Sequence, residues 1–238
     1  MTEPASARIR FAAGGADTGC RGGRAPIAKK NVSLFRGRPV ADRYGKAMDE
    51  TRILHIKNMV CNRCVMVVTR LLERLELHPV RVVLGEAELS DPLPAARRDE
   101  VRRALEECGF ELLDDPRDRL VERIRTAVIE LVHYDASAAR VNLSDYLAER
   151  CHADYSLLSK LFTEACGTTV ERYYIAQKIE RVKELLSEGE LSVGEIADLL
   201  HYSSVAHLSA QFRRETGLTP SAFRRLGEHA RRPLDEVK

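Results

Sequence analysis

Two stretches near the C-terminal end of this 238-residue chain share a pattern of residues at an offset of fifty positions. The first, from Leu158 to Tyr173, reads Leu-Ser-x2-Phe-x4-Gly-Thr-Thr-x3-Tyr, and the second, from Leu208 to Phe223, reads Leu-Ser-x2-Phe-x4-Gly-Leu-Thr-x3-Phe. The shared positions are the apolar, glycine and turn positions of a helix that ends in a loop. Because a repeat constrains architecture, we expect two copies of a small helical unit. Two copies in series can contact a periodic partner twice, and double-stranded DNA is the commonest such partner.

The length allows one large domain or two small ones, each with its own core. No run of eighteen or more apolar residues occurs, so we expect no transmembrane helix and no membrane partner. The N-terminal end lacks the continuous apolar stretch of a secretory signal, which favours a cytoplasmic location. The six cysteines are too sparse for a disulfide scaffold, and in a reducing compartment they are expected to be buried, catalytic or metal-bound.

Residues 1–47 differ from the rest of the chain in composition. They hold ten Lys/Arg and three Asp/Glu, while the remainder holds 28 Lys/Arg and 33 Asp/Glu. The segment is rich in Gly, Ala and Arg without apolar periodicity, so it is predicted to be disordered. It is either a basic arm that binds nucleic acid or a dispensable, non-native extension that precedes a true start at Met48. The bulk charge of the chain gives no support to DNA binding. Residues 227–238 are predicted to be a tail.

Residues 51–114 are predicted to form a small α+β domain. The turn Gly85-Glu86 is expected to join two strands as a type II′ hairpin. The order β-α-β-β-α-β is typical of the ferredoxin-like arrangement, in which both helices cover one face of a four-stranded antiparallel sheet. The predicted elements are a strand at 53–56, a helix at 64–75, strands at 80–84 and 87–89, a helix at 95–107 and a strand at 110–113.

Residues 115–139 are predicted to be a linker helix. Asp115-Pro116 supplies the cap residue and the proline that favour a helix start. Val121, Ile124, Val128 and Leu131 recur with helical spacing over two heptads. This stripe fits either a dimerisation helix, which would make the protein a homodimer, or a helix packed on its own neighbouring domain.

Cys61 and Cys64 form a Cys-x-x-Cys pair between the first strand and the first helix. A helix N-terminus lowers thiol pKa, because its positive partial charge and free N–H groups favour the thiolate. Thiolates bind soft ions such as Cu(I), and also Zn(II), and two ligands suit linear Cu(I) better than four-coordinate zinc. Cys108 is either a third ligand or a buried cysteine at a helix end. The pair itself fits metal sensing, a redox switch or a vestigial site in a contact domain.

The segment Leu54–Cys64 resembles the metal loop of the heavy-metal-associated domain family, Gly-Met-x-Cys-x-x-Cys in a β-α-β-β-α-β fold. The matching residues are Met59, Cys61, Cys64, Gly109 and Phe110. Asn58 stands where the family has Gly, and Asn tolerates the left-handed backbone that such a turn requires. The resemblance covers residues 51–114 and implies Cu(I) or another soft metal ion as the bound species.

Residues 140–226 are predicted to be an all-α domain with two helix-turn-helix units joined by a long helix at 169–187. Asn142 or Ser144 can cap the first unit, and Ser192 with Glu195 forms a capping box at the second. The segment 191–225 resembles the C-terminal signature of the AraC/XylS family of transcription regulators, and residues 140–226 resemble its whole DNA-binding domain. The resemblance implies a sequence-specific regulator that binds double-stranded DNA and contacts the transcription machinery.

In such a unit the second helix enters the major groove. In the first unit, Leu157, Leu158, Leu161 and Phe162 are predicted to be its buried stripe. In the second unit, relatives often have Arg where Ala210 stands, so that unit is expected to clamp phosphates more than it reads bases. The predicted DNA-contacting residues are Tyr155, Ser156, Ser159, Lys160, Thr163, Ser204, His207, Ser209, Arg213 and Arg214.

The prediction from sequence is therefore a cytoplasmic transcription regulator, and not an enzyme, whose Cys61–Cys64 pair responds to a soft metal or to thiol state. One alternative is a metal-binding, metallochaperone-like protein, which the double helix-turn-helix disfavours. Another is a regulator whose N-terminal domain serves only dimerisation or protein contacts. A thiol oxidoreductase is disfavoured because the chain has no Trp-Cys-x-x-Cys signature and no second catalytic constellation.

Overall fold

The computed structural model describes residues 52–134 and 142–226, together with Leu234 and Val237. The predicted extension at 1–47 lies outside the described residues, as does most of the predicted tail. The described chain consists of a small four-stranded antiparallel sheet with two helices, followed by an all-helical region.

The N-terminal half has the predicted order β-α-β-β-α-β, and its strands lie in the order β2-β3-β1-β4. Its elements are β1 (Ile53–Lys57), α1 (Asn62–Arg74), β2 (Pro79–Val83), β3 (Glu86–Leu89), a short 3₁₀ turn (Ala95–Arg97), α2 (Arg98–Glu106) and β4 (Glu111–Leu113). Every strand pair is antiparallel. The order of elements along the chain and the antiparallel sheet were predicted, whereas the ferredoxin-like classification stays a prediction.

The hairpin between β2 and β3 differs from its prediction by one residue. Val83 pairs with Glu86, so the turn residues are Leu84 and Gly85 rather than Gly85 and Glu86. Gly85 is second in the turn, with φ +79°. A side chain there would be strained by that backbone angle, and its Cβ would lie 3.0 Å from Thr126 Oγ1.

The C-terminal half begins with α3, and its first helix starts where predicted. Asp115 caps α3 by accepting a hydrogen bond from the Arg117 backbone N–H at 2.6 Å, and Pro116 occupies the first turn. The elements are α3 (Pro116–Ile129), a π-turn (Glu130–Tyr134), α4 (Leu143–Cys151), α5 (Tyr155–Cys166), α6 (Val170–Glu188), α7 (Val193–Leu199), α8 (Val205–Thr216) and α9 (Pro220–Leu226). Asn142 caps α4, and the predicted Ser192–Glu195 capping box is present at α7.

The two halves share helix α3. One face of it packs into the cluster of α4, α5 and α6 through Val121, Ile124, Ala127 and Val128, and Leu131 of the π-turn extends this contact. The other face meets the sheet half, because Ile129 is buried among the residues of the sheet-and-helix core. The apolar stripe that fitted either a dimer seam or a packed helix is therefore buried within the chain.

Two further residues on the sheet-facing side of α3 are buried although they are polar. Glu122 is 7% exposed and Thr126 is 8% exposed. Glu122 Oε1 accepts a hydrogen bond from the Asn58 backbone N–H at 3.1 Å. With Ile129, these residues recur at helical spacing and form the contact surface for the loops of the sheet half.

Replacing Ile129 with Ala is expected to lower the free energy of unfolding by about 2–5 kcal/mol, because a buried side chain leaves a cavity behind. Since α3 belongs to both cores, urea unfolding followed by circular dichroism and by tyrosine fluorescence should remain a single transition. The matched control is Val80→Ala on the edge strand. Because Val80 is 67% exposed, this substitution should change the free energy of unfolding by no more than about 0.5 kcal/mol. Two separable transitions in the parent protein would contradict the shared-helix arrangement.

Candidate nucleic-acid interface and thiol pair

The two repeated units have closely similar local geometry. The turns between their helices are made by His152 and His201, both with φ +52°. Glycines with positive φ, Gly167 and Gly217, end the second helix of each unit. The turn residues are 49 positions apart and the glycines are 50 apart, so the second unit has one more residue in its turn.

An aromatic pair closes each unit in the same way. Phe162 and Tyr173 have ring centroids 5.4 Å apart, and Phe212 and Phe223 have centroids 5.5 Å apart. All four side chains are almost completely buried. Leu158 and Leu208, the first residues of the repeat, are fully buried beside them. The repeat therefore specifies two cores, and the residues between its shared positions are free to differ.

Helix α5 exposes most of the residues predicted to contact DNA. Ser156, Lys160 and Thr163 are exposed, while Tyr155 and Ser159 are partly buried. The predicted buried stripe is wrong at Leu157, which is 48% exposed on the same face as Lys160. Leu158 and Phe162 are the buried residues of this helix and Leu161 is partly buried, whereas Leu157 falls on the solvent side.

Two of the predicted contact residues on α5 already have partners within the protein. The Tyr155 hydroxyl donates to the Glu171 carboxylate on α6. Burial, and then Glu171, raise the pKa of this phenol. Thr163 Oγ1 donates to the Ser159 carbonyl at 2.7 Å. Tyr155 thus ties α5 to α6, and Lys160 is the exposed cation among the predicted residues of this helix.

On helix α8 the predicted residues fall into two groups. Ser204 is the N-cap, and its side chain accepts from the His207 backbone N–H at 3.1 Å. The His207 ring lies 3.0 Å from Ser203 Oγ through Nδ1 and packs edge-on against Tyr202. These residues organise the start of the helix.

The remaining predicted residues of α8 lie further along the helix. Arg213 and Arg214 are exposed, and Arg214 Nε donates to Glu215 at 3.1 Å. Ser209 is partly buried, whereas Ala210 is exposed at the position that Lys160 holds in the first unit. The two units therefore expose different chemistry: a lysine in the middle of α5, and two arginines near the end of α8.

Cys61 and Cys64 lie together at the start of α1, as predicted. Cys61 is the N-cap residue, and the two Sγ atoms are 3.4 Å apart. Burial raises the pKa of the Cys61 thiol, but hydrogen bonds from the Cys64 backbone and thiol, together with the backbone and charge of Arg63, lower the pKa overall. Burial dominates at Cys64 and raises its pKa. The arrangement therefore favours the thiolate at Cys61 more than at Cys64.

The pair supplies two thiol ligands, and its sulfurs lie closer together than linear coordination of one ion would require. Among the described residues, no group of three or more His, Cys, Asp or Glu side chains could hold a metal. Cys108 is exposed, which contradicts the alternative of a buried cysteine, and it forms no such group with the pair. At a thiolate–metal distance of about 2.3 Å, sulfurs 3.4 Å apart subtend an angle of about 95° at the ion, and linear coordination would need them about 4.6 Å apart.

The loop that carries the pair is fixed to its surroundings by three hydrogen bonds. Asn58, with φ +72°, has the left-handed backbone for which it was expected to substitute for glycine. Its side chain donates to the Gly109 carbonyl at 3.1 Å, and its backbone N–H donates to Glu122. Tyr134, in the π-turn, donates to the Val60 carbonyl at 3.3 Å. The thiol loop of the sheet half is therefore held by two residues of the other half.

Sequence reasoning identified neither Glu122 nor Tyr134. A signal exists for Glu122, because it shares helical spacing with Thr126 and Ile129 and so marks a second face of the helix. Burial raises the pKa of the Glu122 carboxyl, although the Asn58 N–H bond opposes that effect. No sequence pattern marks Tyr134, because its contact joins residues 74 positions apart.

Residues 147–226 match the protein family described as helix-turn-helix domain. The xylose operon regulatory protein of Escherichia coli K12 is 28% identical over 128 residues, which cover 50% of this chain and 33% of that protein. An uncharacterized HTH-type transcriptional regulator of the same strain, YidL, is 30% identical over 108 residues, covering 45% of this chain and 34% of its own length. This chain therefore spans about a third of the length of these curated relatives.

Among solved structures, the chain is similar to the C-terminal domain of AraT, a response regulator from Geobacillus stearothermophilus. The identity is 21%, the match covers 50% of this chain and 93% of that one, and the TM-score is 0.41.

Within the described ranges, no helix combines the length and the apolar character that crossing a membrane requires.

The unequal thiols predict unequal reactivity. Because the pKa of Cys61 is lowered and that of Cys64 is raised, iodoacetamide should alkylate Cys61 first, and its rate should rise at lower pH than the rate at Cys64. The measurement is residue-resolved mass spectrometry of alkylation from about pH 6 to about pH 10, a range that brackets the usual thiol pKa. Exposed Cys108 is the internal reference. Equal rates for Cys61 and Cys64 at every pH would contradict the assignment.

Proposed function

We propose that this protein is a DNA-binding transcription regulator, and not an enzyme, that acts in the cytoplasm. The observation that carries the proposal is the pair of helix-turn-helix units with the same turns, glycine ends and aromatic closures, in a segment that matches the helix-turn-helix family. In such units the second helix enters the major groove, which assigns α5 and α8 to that role. Helix α6 joins the units and fixes their separation.

We propose that the two units contribute differently to DNA binding. Lys160 on α5 lies beside exposed Leu157 and Ser156, so this face offers a donor for guanine and an apolar surface for the thymine methyl group. Helix α8 has Ala210 at the matching position, and Arg213 and Arg214 are placed to bind phosphates. We assign base reading mainly to the first unit and clamping mainly to the second.

Charge limits the strength of non-specific binding. Residues 140–226 carry eleven Lys/Arg and twelve Asp/Glu, so the domain is close to neutral. On α5, Glu164 is paired with Arg117 of α3, which offsets one negative charge near the proposed interface. Binding is therefore expected to depend on a few phosphate contacts and to weaken strongly with salt.

Lys160→Ala should reduce discrimination between the protein's operator and mismatched sites by about 1–3 kcal/mol, because one base contact is lost. Arg213→Ala with Arg214→Ala should instead weaken binding to all sequences alike and reduce the slope of log K against log salt by about 0.9 for each lost phosphate contact. Fluorescence anisotropy with fragments from the promoter next to the gene measures both effects. Arg70→Ala is the matched control, because it removes one positive charge from the exposed face of α1, in the sheet half.

DNA binding that is absent at low salt under every condition would contradict the regulator proposal. An equal loss of discrimination in Lys160→Ala and in the double arginine variant would contradict the division of roles between the two units.

We further propose that the Cys61–Cys64 pair controls DNA binding by taking up a soft metal ion, such as Cu(I), or by changing thiol state. Two features support this role. The sulfurs lie within reach of one ion and have opposite pKa shifts. The loop that carries them is hydrogen-bonded to Glu122 and Tyr134, which belong to the half that carries the helix-turn-helix units. A change at the pair can therefore favour one arrangement of the halves over another, provided that the two arrangements bind the ion differently.

A second candidate is that the sheet half serves dimerisation or protein contacts. This candidate is supported by exposed apolar side chains on α1 and on the edge strand, namely Met66, Val67 and Val80. Under this candidate the partners are a second copy of the chain or the transcription machinery, and the cysteines have no regulatory role. A metallochaperone-like function is a weaker candidate, because it leaves the two DNA-reading units unexplained.

The double variant Cys61→Ser/Cys64→Ser separates these candidates. Under the proposal, the parent protein binds one Cu(I) and its DNA affinity changes by about fivefold or more, a typical coupling between two sites, whereas the variant does neither. The measurement is a DNA titration with and without Cu(I), Zn(II) or a disulfide reagent, and Cys108→Ser is the matched control. If the double variant binds metal and DNA as the parent does, the pair is not the sensor and the contact role is favoured.

A further inference from the structure

Tyr134 lies beside the thiol pair although it belongs to the helical half. We propose that Tyr134 is a positioning residue of the Cys61–Cys64 site, through which the state of the thiols reaches helix α6 between the two helix-turn-helix units. This inference rests on the proposed thiol or metal control of DNA binding and deepens it by assigning the route.

The first link is the bond between Tyr134 and the thiol loop. The Tyr134 hydroxyl donates to the Val60 carbonyl at 3.3 Å, and Val60 directly precedes Cys61. Burial raises the pKa of the Tyr134 phenol, and the neighbouring Cys61, Glu184 and Cys64 raise it further. The hydroxyl therefore contacts the loop at the residue next to Cys61 and follows the position of that residue.

The second link is the π-turn Glu130–Tyr134, which continues α3. Such i→i+5 turns are rare in helices and are frequent at functional sites. A cavity of about 80 Å³ borders this turn and is lined by Leu131, His133, Tyr134, Tyr174, Lys178 and Arg181. The turn therefore combines an irregular helix geometry with space beside it.

The third link joins the π-turn to α6. The side chain of His133 is 5% exposed, and its Nε2 lies 3.2 Å from Gln177 Oε1. Gln177 is fully buried and also donates to the Tyr173 hydroxyl at 3.0 Å. Because Tyr173 packs on Phe162 of α5, a displacement at His133 reaches the helix that carries Lys160.

Metal uptake and oxidation are expected to move the loop in opposite senses. Linear coordination would open the sulfurs from 3.4 Å to about 4.6 Å, whereas a disulfide would close them to about 2.05 Å. Either movement shifts the residues next to Cys61, including the carbonyl that accepts from Tyr134. The two modifications can therefore have opposite effects on DNA affinity through the same hydroxyl.

The oxidation is a thiol–disulfide exchange with a low-molecular-weight disulfide. The Cys61 thiolate attacks one sulfur of the reagent and releases one thiolate, which leaves a mixed disulfide. Cys64 then loses its proton and displaces the second reagent thiolate, so that Cys61 and Cys64 are joined. Two protein thiols are oxidised, and one reagent disulfide is reduced to two thiols.

The test compares Tyr134→Phe, which removes only the hydroxyl, with the parent in the thiol, Cu(I)-loaded and glutathione-disulfide-treated forms. Tyr174→Phe is the matched control, because Tyr174 lines the same cavity but makes no described bond to the thiol loop. We expect Tyr134→Phe to bind Cu(I) and to oxidise as the parent does, while its DNA affinity no longer depends on either treatment. The parent and Tyr174→Phe should still change by about fivefold or more.

Intrinsic fluorescence gives a second readout that a merely structural tyrosine would not alter. The chain has seven Tyr and no Trp, so tyrosine emission is directly observable. Cu(I) should change this emission in the parent and in Tyr174→Phe, and the change should be smaller in Tyr134→Phe. His133→Gln, which alters the third link and keeps the Tyr134 hydroxyl, should keep the emission change and lose the DNA response.

The outcomes separate the two levels of the proposal. If parent DNA affinity does not change on Cu(I) loading or oxidation, thiol control itself fails. If the parent and Tyr134→Phe respond alike, control stands and the assigned role of Tyr134 is overturned. Loss of Cu(I) uptake in Tyr134→Phe also overturns that role, because the residue would then act in binding and not in transmission.

Discussion

Helix α3 buries side chains in both halves of the chain, and the contacts between the thiol loop and the helical half depend on this sharing. Ile124 and Val128 are fully buried in the helical core, and Ile129 is buried in the sheet core. Burial of each such side chain contributes about 1.5–3 kcal/mol, so rotating or sliding the helix would sacrifice packing in both cores. A helix fixed on two sides holds Glu122 and Tyr134 at one place relative to Cys61. A flexible linker could not maintain hydrogen bonds of that kind.

Helix α6 is likewise shared, because it packs into the cores of both helix-turn-helix units. Its early residue Tyr173 closes the first unit, and its later residues, Val182 and Leu186, lie in the core of the second. Each unit is thus packed on one end of a single helix, which sets the distance between α5 and α8. His133 meets this helix near its middle, at Gln177. The protein therefore has two shared helices in series, and the thiol loop contacts the end of the first.

The sequence predicted the parts of this arrangement that depend on local patterns. The fifty-residue repeat, the caps at Asp115 and Ser192 and the glycine ends were all readable, because capping and turn chemistry involve neighbouring residues. Cys61 and Cys64 were found for the same reason. Leu157 was assigned to the wrong side of α5, since an apolar residue next to a buried stripe carries no signal of its exposure.

Contacts between distant residues could not be predicted. Residues 58 and 122 are 64 positions apart, and residues 60 and 134 are 74 apart. A single sequence therefore shows no periodic pattern that indicates either hydrogen bond. Burial was one alternative for Cys108, and its exposure follows from its place in the turn between α2 and β4. The hairpin differed by one residue because Leu84 and Gly85 allow a turn that the Gly-first rule does not describe.

Hydrogen exchange of the protein, resolved by residue and compared between the thiol and Cu(I)-loaded forms, tests most directly whether the thiol pair communicates with the helix-turn-helix units through shared helices. Our account predicts that Cu(I) changes amide protection in the loop at 58–61, in the π-turn Glu130–Tyr134 and around Gln177 on α6, while the core of the second unit around Phe212 and Phe223 stays unchanged. A change confined to the loop and to α1 would contradict it.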